Sequence, residues 1–236
     1  MSTAIQLTKL LELRSQPVAV SFLDSAPQNL PRIEDVAPSG CTYWKFAADG
    51  QSFYTEASDH YGCTIGAHTH GIDLPQQQGQ ELNDVIGTMT GMEYLDPSEV
   101  EGIPRREKPF GVVTYSPLAE ELSGKPDVVL VCGTAKQMML IAEAAQSAGV
   151  SRQTTMVGRP TCAAIPEVMK SGLSATNLGC IGNRVYTEME DGELYFAFAG
   201  AQLDTIVKKL AGIIKANSQL QTYHREKISA SLRSRL

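Results

Sequence analysis

The segment that most narrows the folds open to this chain is Pro126-Asp-Val-Val-Leu-Val-Cys132-Gly-Thr134. Five apolar residues, Val128 to Cys132, lie between a proline and a glycine and run straight into a helical pattern from Ala135 to about Ala148. An unbroken apolar run of that length, without polar alternation, is a strand covered on both faces. Pro17-Val-Ala-Val-Ser-Phe-Leu23 repeats the pattern near the start, and Phe110–Tyr115 and Glu193–Phe198 add further strands. Gln51–Thr55 and Thr154–Val157 read as shorter ones. Helices are expected over the first residues through Leu13, over Glu81–Tyr94 and Ala163–Lys170, and from Gln202 to about Ala216, with a helical turn at Leu118–Leu122. The Gln202 helix places Leu203, Ile206, Val207, Leu210, Ile213 and Ile214 on one face. Buried strands alternating with amphipathic helices give an α/β fold: a mixed sheet, or two related sheets, with helices packed outside.

No linker or low-complexity stretch interrupts the 236 residues, so one domain is expected over 1–236. Its two rounds look alike. Each opens on a proline-led strand (Pro17, Pro126), then carries a first cysteine and a second one 22 or 18 positions later beside glycines. Each continues into a strand that feeds a helix. This suggests two pseudo-repeated halves, about 1–124 and 125–214, around a shared interface, although no residue-level repeat is visible. Residues 215–236 form a basic helical tail.

Net charge is −6, and the tail carries +4 of it, which leaves −10 on residues 1–214. An acidic body argues against general nucleic-acid affinity, which needs a basic face. The basic tail could dock on the acidic body, on a partner or on RNA, or form a solvated helix. No apolar run approaches the roughly 20 residues of a membrane span. The N-terminus lacks the basic start and apolar stretch of a secretory signal, so a cytoplasmic protein is expected.

Five cysteines, an odd number, without an export signal argue against a disulfide framework. Cys132 ends an apolar strand and reads as core. Cys41, Cys63 and Cys180 each follow a glycine, and Cys162 lies two residues after Pro160, all in segments read as loops: Asp59–Gly66, Arg159–Cys162 and Leu178–Arg184 for the last three. Glycine lets backbone amides approach a sulfur or an anion. Four thiolates are a full ligand set for an iron–sulfur cluster or a structural zinc. No C-x-x-C pair occurs, so on the residues alone four unrelated buried thiols are the favoured reading. Gly133-Thr134 places free amides at a helix start, a candidate anion site, but no dinucleotide or P-loop pattern accompanies it.

Pro17-Val-Ala-Val20, Cys41 ahead of an alanine-containing segment to Gly50, and Asp59-His60 before Gly62-Cys63 and Gly66 form the first part of a recognisable pattern. Pro126-Asp-Val-Val-Leu130, Gln137 with Leu140, Cys162, Cys180 with Gly182 and Arg184, and Glu193-Leu194 complete it. On these residues the chain resembles domain-of-unknown-function family 169, an uncharacterised archaeal and bacterial set. The resemblance implies thiol positions at Cys41, Cys63, Cys162 and Cys180, and not at Cys132; it implies no activity. His68 and His70 depart from the pattern.

These readings converge on an iron–sulfur protein holding a 4Fe–4S cluster on Cys41, Cys63, Cys162 and Cys180, for electron transfer or a redox step on a small molecule. His60 would tune the cluster or pass a proton, and Arg184 would offset its negative charge, hold an anion or form a surface salt bridge. His68 and His70, two apart, diverge on a helix or strand and are expected at the surface or in hydrogen bonds. The alternatives are a cofactor-free thiol acid–base enzyme of isomerase or racemase type, and a zinc-stabilised binding module. Expected partners are a small molecule or a redox partner protein, with no nucleic acid and no membrane, and a homo-oligomer is an open expectation.

Overall fold

The structure is a computed structural model that describes residues 2–34, 37–118, 124–150 and 153–233. Its elements run α1 (Thr3–Leu11), β1 (Val18–Leu23), α2 (Gly40–Ala48), β2 (Phe53–Glu56), α3 (Thr64–His70), α4 (Gln76–Gly91), α5 (Pro97–Glu101) and β3 (Val112–Pro117). They continue with β4 (Val128–Thr134), α6 (Ala135–Ser147), β5 (Thr155–Met156), α7 (Ala164–Ser171), β6 (Ala175–Asn177), α8 (Ile181–Thr187), β7 (Glu193–Ala199) and α9 (Leu203–Arg233). The expected helical turn beyond Leu118 lies outside the described residues.

Among the described residues seven strands join one sheet in the order β2-β3-β1-β4-β7-β6-β5, antiparallel except for β5 beside β6. The α/β expectation is met by a single mixed sheet. Side chains alternate across it with the strand period of two. Val18, Val20, Phe22, Val113, Tyr115, Val128 and Leu130 face one layer, while Ala19, Val129, Val131, Phe196 and Phe198 face the other. The second layer is α1, α6 and α9, with Leu7, Leu11, Ile141, Ile206 and Leu210 buried against the sheet. The first layer is α2, α3, α7 and α8, and it contains the expected site cysteines.

Outward from the central β1–β4 pair the sheet reads β3 then β2 on one side and β7 then β6 on the other. The connections differ, since α6 and β5 intervene before α7 and have no counterpart before α2.

Several boundaries depart from the sequence reading. Segments read as loops are helical: Cys41 lies inside α2, Thr64–His70 is α3, and the loop at Leu178–Arg184 ends in α8. Strand β6 had no apolar run to announce it. Helix α4 begins five residues earlier than Glu81, after Pro75, and ends at Gly91. Helix α9 does not stop near Ala216; no glycine or proline follows Gly212, and the helix continues to Arg233.

Candidate functional site

Each of the four cysteines stands at the beginning of a helix in one layer. Cys41 is the second residue of α2, and Cys63 and Cys180 occupy the N-cap positions of α3 and α8. Cys162 lies in a 3-10 turn, Thr161–Ala163, that runs directly into α7. The thiols are tied in two pairs. Ser39 Oγ accepts from the Cys41 amide at 3.2 Å and lies 3.8 Å from Cys63 Sγ. Thr161 Oγ1 accepts from the Cys180 amide at 2.6 Å and neighbours Cys162 in sequence.

The pairs are joined crosswise. Helix α2 packs on α8, and α3 packs on the Cys162 turn and on α7. Asn183, from the helix that Cys180 begins, sits against the Cys41 sulfur; Thr69, from the helix that Cys63 begins, sits against that of Cys162. Burial pushes the Cys41 thiol up to about 12; the Asn183 amide opposes this, and charge on Cys63 and Cys180 adds to it. Cys162 is raised well above the usual thiol range by burial, then by Cys41 and Cys63. Cys162 therefore senses the other three thiols, and Cys41 senses Cys63 and Cys180. Cys41 and Cys162 are buried, whereas Cys63 and Cys180 are partly exposed.

Some polar groups around the thiols have no hydrogen-bond partner among the described residues. The Asn183 side chain is 1% exposed and lies against both the Cys41 sulfur and the Tyr195 hydroxyl. The Tyr115 hydroxyl is fully buried, unpartnered and electrostatically coupled to Cys41, Cys162 and Cys63. Thr42 Oγ1, beside Cys41 in α2, is also unpartnered. Buried polar groups are nearly always satisfied, so such a cluster marks a place where an acceptor or donor belongs. Among the described residues no three His, Cys, Asp or Glu side chains lie close enough together to hold one metal ion as they stand. Four thiols are the donor set that an iron–sulfur cluster or a structural zinc takes.

The other candidate residues fall differently. His60 is 1% exposed, packed against Tyr43 and Tyr115, and its Nε2 lies 2.8 Å from Thr55 Oγ1. That hydroxyl donates to Val113 O, so Nε2 carries the imidazole proton and Nδ1 is left as an acceptor. His70 is not at the surface: it is 1% exposed, its ring 5.4 Å from that of His60 and edge-on to Phe22, with neither nitrogen partnered among the described residues. The helix that buries it was read as loop. His68 is half-buried. Among the described residues Arg184 forms no salt bridge. Its guanidinium donates to the carbonyls of Leu178, Glu190 and Glu193 and clamps the loops flanking α8. The helix start at Thr134 is closed by its own capping box with Gln137, which removes the candidate anion site. Cys132 lies in β4 and lines a separate cleft of about 310 Å³ with Arg14, Lys45, Trp44 and Tyr195.

Sequence reasoning missed Asn183, Tyr115, Thr69, Ser39 and Thr161. Tyr115 was findable, because period two along β3 puts it on the face of Val113. Asn183 was findable only once a helix was placed at Cys180, three residues before it.

No curated protein and no solved structure matches the sequence. Among the described residues no helix is long and apolar enough to cross a membrane. The model of one family, described as uncharacterised ArCR, matches residues 6–209, which take in every strand and all four helix-start cysteines. The chain belongs to that family, domain-of-unknown-function family 169.

Proposed function

We propose that the chain is an iron–sulfur protein whose cluster, a 4Fe–4S centre, is held by Cys41, Cys63, Cys162 and Cys180. One observation carries this reading. Four thiols at four helix starts are interlocked crosswise, and the buried hydroxyl of Tyr115 beside them has no partner among the described residues. Bound there, the cluster would accept and return single electrons. The chain's own groups would serve it in distinct ways. Cys41 and Cys162 lie in the water-excluded part of the site, and Cys63 and Cys180 at its open edge. The N-termini of α2 and α7 favour the negative charge of a thiolate cluster. Asn183 and Tyr115 can donate to its sulfurs, which raises a cluster's potential. The high thiol pKa values mean that loading must displace protons, so affinity rises with pH. The redox partner would be a protein or small molecule exchanging one electron at the open edge. The strand order about the β1–β4 pair, with one cysteine after each of β2 and β6, supports an origin by duplication of two halves.

Protein purified without oxygen should be brown, with broad visible absorption that bleaches on reduction. Replacing any of the four cysteines by serine should remove most of that colour and iron, because a hydroxyl is a hard, poor ligand for cluster iron. Cys132→Ser should leave both unchanged. Iron that survives all four replacements refutes the ligand assignment.

A second reading is favoured by exposure. Cys63 and Cys180, one per half, are the two partly exposed thiols of the set. They would then act as acid and base on opposite faces of a substrate carbon in a cofactor-free enzyme. Colourless, iron-free protein inactivated by modifying either thiol would support that reading over the first.

A further inference from the structure

We propose that the free half of α9 docks on helix α4 of a second copy of this chain. Helix α9 packs on α6 and α1 through Ile206, Val207 and Leu210, and farther along Asn217 Nδ2 donates to Glu143 at 2.6 Å. Every residue from Ser218 to Ser231 is exposed. That is about 21 Å of helix standing off the body. It is not featureless: Leu220, Tyr223, His224, Lys227 and Ile228 follow the i, i+3, i+4, i+7, i+8 spacing of a contact stripe, and Leu220, Tyr223 and Ile228 are 55, 56 and 61% exposed. Arg225 and Lys227 have no carboxylate within 4 Å among the described residues.

Charge decides the occupant. From Gly71 to Pro104 the chain has seven acidic residues and no lysine or arginine. Helix α4 lies in this stretch, and it is the long helix with no buried residue. Its half-buried side, Leu82, Val85, Ile86 and Met89, is the one toward the body, and it packs against α3. Glu81 and Asp84 are on the exposed side, Met92 is 65% exposed, and Glu81, Asp84, Glu93 and Glu101 have no basic partner among the described residues. One chain thus has two under-packed helical faces of opposite charge. They cannot meet within a protomer, because α9 has no glycine or proline after Gly212 at which to turn back. Between two copies they meet twice, once in each direction, which closes a twofold dimer.

The test is sedimentation of the full chain across concentration and salt. A dimer is expected at about 50 mM salt, weakened roughly tenfold or more at about 500 mM, where charge pairing is screened. Leu220→Asp with Tyr223→Asp should give monomer with unchanged helix content. Glu81→Lys with Asp84→Lys should weaken the dimer, and Arg225→Glu with Lys227→Glu in the same chain should restore it. A monomer at every concentration overturns the proposal. So does a dimer indifferent to the α4 charges, or a chain that stays monomeric and binds anionic vesicles or RNA through its tail. Should the α4 variant fail to fold, zero-length carboxyl–amine cross-linking of mixed isotope-labelled native chains decides. Links from Lys215 or Lys227 to Glu81, Asp84 or Glu93 between differently labelled chains are expected, and their absence is fatal.

Discussion

Tyr115→Phe isolates the polar strain in the cysteine layer. The Tyr115 ring is fully buried, stacked on Phe53 at 5.7 Å between centroids and tilted against Tyr43 at 5.5 Å. Phenylalanine keeps all of that packing and removes only a hydroxyl that has no partner. Burying an unpaired polar group costs about 1–3 kcal/mol, so in iron-free protein the variant should be more stable by about 1 kcal/mol. For a chain of this length that is a rise of about 2–4 °C in Tm. Loaded with iron, the hydroxyl would have a sulfur to donate to, and the gain should shrink or reverse. Urea unfolding of both proteins, with and without iron, measures the four values. A loss of about 1 kcal/mol or more in the iron-free protein would show that the hydroxyl is already bonded, and the site argument built on it would fail.

Two further outcomes follow from the same layer. Burial lowers the His60 pKa to about 4 and that of His70 well below 6.5, where the charges of His60 and Arg106 add to the effect. The unfolded chain then binds more protons than the folded one below about pH 6.5, so stability should fall as pH drops through that value toward 4. His60 alone accounts for a loss of about 2 kcal/mol by pH 5; a flat profile from pH 7 to pH 5 in urea unfolding would contradict the burial of these rings. Gly66→Ala puts a Cβ 3.0 Å from Cys63 Sγ and 3.9 Å from Gly40 Cα. In a helix alanine gains up to about 1 kcal/mol over glycine, so the fold should survive while the displaced thiol lowers bound iron; unchanged iron content would place Cys63 outside the ligand set.

The sheet was legible because its central strands are apolar on both faces: Val128–Val131 and Val18–Val20 cannot be anything but covered strands. What was lost lies in short helices with weak local signals. Helices α3 and α8 are seven residues each, contain Gly66 and Gly182, and are held by packing on the Cys162 turn and on α2. Propensity at that length says little, because tertiary contact supplies most of the stability. The burial of His70 followed from α3 and was invisible without it. Arg184 was read by its charge, but its guanidinium makes three hydrogen bonds to backbone carbonyls, a use that depends on where the loops around α8 run. Three of the four cysteines stood out by a preceding glycine and Cys162 by Pro160; their crosswise tie through Asn183 and Thr69 needed the helices in place.

The central claim is that four thiols share one polynuclear centre. Crystals grown without oxygen from iron-loaded protein and measured on either side of the iron absorption edge test it directly. The account requires one anomalous iron feature enclosed by the sulfurs of Cys41, Cys63, Cys162 and Cys180, with Asn183 and Tyr115 turned toward it. Iron elsewhere, at the His60–His70 pair or on Cys132, or four protonated thiols with no iron between them, would contradict it.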